Sequence, residues 1–278
     1  MNPEPRFETD YTARQVAAAR RVLIDVGQVL ASFSDCMVVV GGWVPDLRIP
    51  EAETPHVGSI DVDIALDAAR LNGGRYAALL KVLLDTRRYR QGSKSFQFVT
   101  DVDLGDGEKS VQVEVEFLAP TDVKLTKNRP KLFAGFRVLQ TEACGTVFRS
   151  PQELVLTGKT IRGADNTVRL HVASVAEFLV MKAHAIGGRD KPKDSYDICY
   201  CLENYAGGIE PLAADWREQR ANKVYGKGVA ILKEKFASPK AFGPQQVVEF
   251  HNASDAETRA MQARRAYEAV QRFLSLVG

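Results

Sequence analysis

Two apolar runs constrain this chain more than any other feature. Val38-Val39-Val40 stops at Gly41-Gly42-Trp43, and Ser59-Ile60-Asp61-Val62-Asp63-Ile64-Ala65-Leu66 then carries two aspartates at i and i+2. In a β-strand, residues two apart point to the same face. Asp61 and Asp63 therefore project together, while Ile60, Val62, Ile64 and Leu66 face the core. Carboxylates held side by side repel one another unless a cation neutralises them. Oxygen donors this hard suit Mg²⁺ or Mn²⁺, so the spacing points to a divalent-metal site. The glycine pair lets the backbone turn with φ > 0 and lets a phosphate approach the main chain. If Trp43 opens a helix, its free N–H groups add a favourable place for anionic oxygens.

At 278 residues the chain has room for one large domain or two small ones. No stretch approaches the roughly 20 apolar residues that a membrane helix needs. The first residues, Met1-Asn2-Pro3-Glu4-Pro5-Arg6, lack an apolar signal region. The chain therefore reads as cytoplasmic, with no membrane partner. Cys36, Cys144, Cys199 and Cys201 have neither zinc nor disulfide spacing and read as reduced, mostly buried thiols. Residues 1–119 carry 13 basic and 18 acidic side chains, whereas 120–193 carry 13 basic and 6 acidic, a balance of +7. An acidic half followed by basic segments suits a polyanionic substrate; solvated surface charge explains the same counts equally well.

Periodicity predicts a helix from Thr12 to about Phe33, with Val16, Ala19, Leu23, Val26, Leu30 and Phe33 on one face and Gly27 as a weak point. Met37–Val40 reads as a buried strand, residues 48–58 as a loop broken by Pro50, Pro55 and Gly58, and Arg75–Thr86 as a helix. Ser95–Val99 and Val111–Leu118 alternate as a half-buried antiparallel pair would. Short β-like pieces follow at Phe136–Leu139, Thr146–Phe148 and Val168–Val172. Ser174 and Glu177 form a capping-box pattern opening a helix to about Ile186, and another runs from Lys193 to about Glu203. The tail is mainly helical, with breaks at Pro239 and Gly243-Pro244. The expected organisation is a core over 1–130 and a mixed, then mainly helical, domain over 131–278.

A two-metal site needs a third carboxylate on a neighbouring strand. Glu114 and Glu116 share a face opposite Val113, Val115 and Phe117. Glu116 is preferred because it lies nearer the strand end, with Glu114 as the alternative. An exposed polar face would look the same. Farther on, Lys182 lies among Phe178, Leu179, Met181 and Ile186, where a long cationic stem can lay a point charge on a β- or γ-phosphate. Arg189, Lys191 and Lys193 crowd a loop beside Gly187-Gly188. Asp194 and Asp197 stand one helical turn apart. Asp197 would pair with Lys193 or Lys182, or help position the acceptor. Ser59 would bond a phosphate or cap the strand entry, and His56 reads as an exposed loop histidine. Tyr225, Lys227, Lys233 and Lys235 would guide RNA, although Val229, Leu232 and Phe236 at helical spacing point first to packing.

The order Gly-Gly-Trp, Asp-Val-Asp, then a carboxylate on a later strand resembles the nucleotidyltransferase superfamily related to polymerase β. Met181-Lys182-Ala183-His184-Ala185, with Arg189-Asp190-Lys191-Pro192-Lys193-Asp194-Ser195-Tyr196-Asp197-Ile198, resembles the lysine and Asp-x-x-Asp motifs of AbiEii-type nucleotidyltransferase toxins of type IV-like toxin–antitoxin systems. The resemblance spans about residues 35–205. Eighteen residues separate Gly42 from Asp61, so Pro50–Gly58 looks like an insertion, and glutamate replaces the commoner aspartate at the third position. The resemblance implies an α/β (α+β) nucleotidyltransferase core, a mixed β-sheet flanked by helices, with a helical C-terminal region. It implies an enzyme that moves a nucleoside monophosphate from an NTP to an acceptor hydroxyl, with the tRNA 3′ end as leading acceptor and an antitoxin as partner. Asp61, Asp63 and Glu116 would hold two Mg²⁺ (or Mn²⁺) ions. Gly41, Gly42, Ser59, Lys182 and Arg189 would bind the nucleotide, and Asp194 would organise Lys182 or the acceptor. A small-molecule nucleotidyltransferase of the antibiotic-modifying kind and a non-catalytic nucleotide-binding protein are the alternatives.

Overall fold

A computed structural model describes residues 4–71, 74–121 and 138–278. The expected boundary between residues 130 and 131 lies outside the described residues, as does the first half of the expected strand Phe136–Leu139. The chain folds as two compact units, each discontinuous in sequence. One comprises Thr12–Val44 and Gly58–Ser174; the other comprises residues up to Tyr11, Pro45–Val57 and Val175–Gly278.

The first unit holds a mixed sheet. Helix α1 (Ala13–Val29) starts at Thr12, whose hydroxyl accepts the Gln15 N–H in a capping box. It stops short of the predicted Phe33 because residues 31–36 tighten into a 3₁₀ turn. Gly27 has a packing reason to sit mid-helix: a Cβ there would lie 2.8 Å from Leu170 Cδ2. Strand β1 (Met37–Val40) is fully buried and leads through the glycine pair into the short helix α2 (Trp43–Arg48). Strand β2 (Asp61–Leu66), helix α3 (Arg75–Asp85), and strands β3 (Arg90–Gln91), β4 (Gln97–Val102), β5 (Val111–Pro120), β6 (Leu139–Thr141), β7 (Gln152–Lys159) and β8 (Asp165–Val172) complete the unit. The strand order is β3-β4-β5-β2-β1-β8-β7, with β6 beside β5. β2 runs parallel to β5 and antiparallel to β1; β4 and β5 pair antiparallel, as their alternation implied.

Two expectations in this unit fail for local reasons. Thr146–Phe148 belongs to a 3₁₀ turn (Glu142–Phe148), not to a strand, and the Thr146 hydroxyl donates to Ala143 O at 2.8 Å. β7 went unrecognised because its hairpin with β8 buries only Leu156 of its eight residues, leaving too weak an apolar alternation to read. A buried polar clamp also escaped notice. Asp25 of α1 accepts from Arg88 Nη1 at 2.5 Å and from Tyr89 OH at 2.7 Å, satisfying a carboxylate that burial would otherwise penalise.

The second unit is helical: α4 (Val175–Gly188), α5 (Pro192–Asn204), α6 (Ile209–Glu218), α7 (Lys223–Lys235), α8 (Phe242–His251) and α9 (Ala256–Val277). Trp216 anchors it, donating Nε1–H to Ala176 O and meeting Tyr225 and Phe273 edge-on. All four cysteines are buried and free. Among the described residues no helix is long and apolar enough to cross a membrane.

The apolar side of the sheet is expected to carry the first unit's stability. Phe117 is fully buried and packs edge-on against Phe98 at 5.9 Å. Phe117→Ala should destabilise by about 3–5 kcal/mol in urea unfolding, whereas Met261→Ala, at a site 63% exposed, should stay within about 0.5 kcal/mol.

Candidate functional site

The sheet assembles one group of sequence-identified residues. β2 alternates between half-exposed Asp61 and Asp63 and buried Val62 and Ile64; β5 does the same with Glu114 and Glu116 against Val113, Val115 and Phe117. The parallel register places Asp61 beside Glu114 and Asp63 beside Glu116. Neighbours in register share a face, so four carboxylates occupy one patch of the sheet. Ser59 is buried, and its hydroxyl donates to Asp61 Oδ1 at 2.5 Å. Trp43 Nε1 donates to Asp61 O at 2.7 Å, tying α2 to β2.

Gly41 follows Val40, which pairs with Asp63, and has φ +68°. A Cβ at Gly41 would collide with Asp63 Oδ2. Glycine is therefore demanded twice, by the left-handed backbone and by the adjacent carboxylate.

Sequence reasoning missed Gln97. It sits on β4, buried and in register with Glu116, and its Nε2 donates to Glu114 Oε2 at 2.6 Å and Glu116 Oε1 at 3.1 Å. Lys94 Nζ lies 3.4 Å from Glu116 Oε1. The oxygen donors suit a hard divalent cation. Asp61 and Asp63 fit it by position. Among the described residues, however, no three acidic, His or Cys side chains are gathered closely enough to enclose an ion. Glu116 is turned towards Gln97 and Lys94, and would have to leave them to become a third ligand.

The helical unit assembles the other group. Lys182 is buried on α4, and its Nζ lies 2.6 Å from Asp194 Oδ1 and 2.7 Å from Asp197 Oδ2. Lys193 Nζ donates to Asp197 Oδ1 at 2.8 Å, so Asp197 makes both of the pairings its spacing suggested. Arg189, half-exposed, grips Asp194 with Nε at 2.7 Å and Nη2 at 3.0 Å. Burial alone would lower the Lys182 pKa, but the two carboxylates outweigh it and hold the ammonium above its ordinary value. Burial would likewise raise the two aspartates; Lys182 reverses this for both, with Arg189 holding Asp194 at about 2 and Lys193 holding Asp197 well below the usual range. Lys193 is shifted down by burial, with Asp197 opposing.

His56 overturns its expectation. The imidazole is buried, stacked on Tyr196 at 5.4 Å and edge-on to Tyr200 at 4.8 Å. Nε2 lies 2.9 Å from Asp197 Oδ1, and Tyr200 OH donates to Thr54 O at 3.0 Å. Burial, reinforced by Lys193, pushes the His56 pKa down to about 4 despite Asp197. As neutral imidazole it donates Nε2–H to the carboxylate, and with Tyr200 it ties the loop 49–57 to α5. Tyr196 and Tyr200, one turn apart on the helix that carries Asp197, were the available signal.

The model of a family described as "Nucleotidyl transferase AbiEii toxin, Type IV TA system" matches residues 31–276. No curated protein matches the chain. Similar solved structures include JHP933 from Helicobacter pylori (12% identity, 95% of this chain and 94% of that one, TM-score 0.41). MenT4, a nucleotidyltransferase toxin from Mycobacterium tuberculosis H37Rv, is similar at 15% identity over 97% and 93% of the two chains, TM-score 0.41. An antigenic nucleotidyltransferase-like protein from Paracoccidioides brasiliensis is similar at 15% identity over 75% and 93%, TM-score 0.38.

Two outcomes are expected. Protonating His56 is easier in the unfolded chain, at the ordinary 6.5, than in the folded one, at about 4. Its contribution to stability is therefore complete above pH 6.5 and lost as pH falls towards 4, by about 3 kcal/mol. His56→Gln, which can still donate to Asp197, should remove most of that acid limb in urea melts at stepped pH. Gly41→Ala should displace Asp63 and cut nucleotidyl transfer about 100-fold, with circular dichroism unchanged; a fully active variant would refute the contact.

Proposed function

The chain belongs to the AbiEii family of nucleotidyltransferase toxins of type IV toxin–antitoxin systems, and from that premise we propose that it transfers a nucleoside monophosphate from an NTP to the 3′ end of tRNA with a divalent metal, Mg²⁺ or Mn²⁺. The acceptor hydroxyl oxygen attacks the α-phosphorus, the bond from that phosphorus to the β-phosphate oxygen breaks, pyrophosphate leaves, and the hydroxyl proton passes to water. Membership of the family implies NTP as substrate and a cognate antitoxin as partner.

The observation that carries the reading is the carboxylate patch of β2 and β5 beside a glycine turn. Asp61 and Asp63 would hold the metal, with Glu116 the nearest third donor and Glu114 its alternative. A metal held there supplies positive charge to the phosphoryl oxygens. Ser59 orients Asp61 through the 2.5 Å hydrogen bond, which accounts for its burial better than a phosphate contact does. Gly41 and Gly42 leave the main chain open to phosphate oxygens.

In the helical unit, Lys182 is already held between two carboxylates, so its proposed role shifts from phosphate contact to support. It fixes Asp194, Asp194 fixes Arg189, and the half-exposed guanidinium is what this unit offers to a phosphate. The basic balance of residues 120–193 supports a polyanionic acceptor over a small one.

The test incubates purified protein with labelled NTPs and total tRNA, with and without chelator. Wild type should label tRNA only with metal present, and the Asp61→Ala/Asp63→Ala protein should lose at least 1000-fold of that activity, in the range of removing key electrostatic groups. Undiminished labelling by the double variant would sink the proposal.

A further inference from the structure

We propose that β7 is an association edge through which two copies of this chain pair antiparallel, joining their sheets about a twofold axis. The two ends of the sheet differ. At one end β3 is only two residues long; at the other, β7 runs for eight residues in unbroken register with β8, and among the described residues only β8 pairs with it. A short edge discourages strand addition, whereas a long regular one offers a row of backbone donors and acceptors. Val155, in the middle of β7, is 58% exposed and is one of three exposed large apolar side chains among the described residues.

The hairpin fixes which backbone groups are on offer. Thr160 N–H donates to Ala164 O at 2.9 Å in the turn, and Ala173 N–H, just past β8, donates to Val39 O of β1 at 3.0 Å. Backbone groups alternate in direction along a strand, so both ends of the hairpin agree. Gln152, Leu154, Leu156 and Gly158 turn theirs towards β8, and Glu153, Val155, Thr157 and Lys159 turn theirs to the open edge. Set about a twofold axis at Leu156, two such edges match along their whole length. Glu153 of each copy faces Lys159 of the other, Val155 faces Thr157, and about eight backbone hydrogen bonds close the junction. Moving the axis one residue, to Val155 or Thr157, takes Glu153 off Lys159.

The side chains agree with this register. The four outward residues share the outer face of the sheet. Within one copy Glu153 meets Arg169 at 2.8 Å and Lys159 meets Asp165 at 3.3 Å, all four in solvent. Across the junction they become a row of alternating sign: Arg169 and Glu153, then Lys159 and Asp165 of the second copy. Val155 and Thr157, both β-branched, stand opposite each other between the two such rows. On the inner face Leu154 stands opposite Gly158 of the second copy. A Cβ on Gly158 would lie 2.8 Å from Ile24 Cδ1, so Ile24 covers that glycine and apolar surface continues across the junction. A strand from a different protein would not require Glu153 and Lys159 at equal distances from Leu156; a second copy does. β1 and β8 separate β7 from β2, so the carboxylate patch stays open in the pair.

The junction is about 27 Å long and small beside obligate interfaces, so the pair should form reversibly, with a Kd of about 10–100 µM. Sedimentation velocity of the full chain over a concentration series spanning that range should show wild type rising from the mass of one chain towards that of two. Val155→Pro removes one outward N–H and keeps the bonds to β8; it should associate at least tenfold more weakly, with circular dichroism unchanged. Glu153→Lys and Lys159→Glu each turn both charge pairs of the junction into like pairs, and each alone should associate about tenfold more weakly. An equimolar mixture of these two variants restores opposite charges in a mixed dimer and should return to wild-type affinity. A wild type that stays monomeric, a dimer that none of the variants weakens, or a mixture no tighter than its components would each overturn the pairing.

Discussion

The carboxylate patch depends on the register of β2 against β5. Val62 and Ile64 sit beside Val115 and Phe117 on the buried side of the sheet, and the acidic residues occupy the other side in the same register. A slip of one residue would bury the glutamates and expose the valines, so hydrophobic burial enforces the adjacency that electrostatics opposes. Gln97, reached through the antiparallel β4–β5 register, adds two donors to Glu114 and Glu116 and moderates their repulsion. The apolar face thus does the positioning, and the polar face inherits a cluster of carboxylates whose mutual repulsion a cation would relieve.

The helical unit solves a different problem, the burial of formal charge. Lys182, Lys193, Asp194 and Asp197 are all below 8% exposed, and each ammonium lies within 2.8 Å of a carboxylate oxygen. Unpaired, any one of them would carry a large desolvation penalty. Two lysines and two aspartates cancel, His56 enters neutral, and Arg189 adds one further positive charge at the half-exposed end. The network is therefore neutral where it is dry and cationic where it meets solvent. His56 adds mechanical constraint, because it binds a loop with several breakers to the helix that carries the aspartates.

The regular elements were largely legible in the sequence. β1, β2, β5, α3, α4 and α5 carry strong periodicity and cap signals, and their predicted bounds hold to within a few residues. So were the shared face of Asp61 and Asp63 and the shared helical turn of Asp194 and Asp197, because spacings of two in a strand and three in a helix place side chains within one element directly. Residues whose roles depend on tertiary partners were hidden. Gln97 lies in an ordinary strand alternation, and only the β4–β5 register shows what it holds. His56 sits between Pro55 and Gly58 in a segment that composition reads as exposed, and its burial is set by Tyr196 and Tyr200 some 140 residues later. Lys182 was placed on the correct helix, but neighbouring apolar residues could not reveal that both aspartates already claim its ammonium.

The glycine pair shows how one position can serve two demands. Read alone, Gly41-Gly42 is a turn that opens the main chain to phosphate. In the fold, Gly41 also lies against Asp63, so the missing Cβ first makes room for a carboxylate. Under the proposed reaction the two demands would share a cause, since a carboxylate that held a metal and a backbone that accepted phosphate would have to stand close together for one anion to be shared between them. Placing the turn directly after the strand that pairs with β2 achieves this closeness through register alone. It also makes the position intolerant of any side chain, even where the helix that follows would fold unchanged.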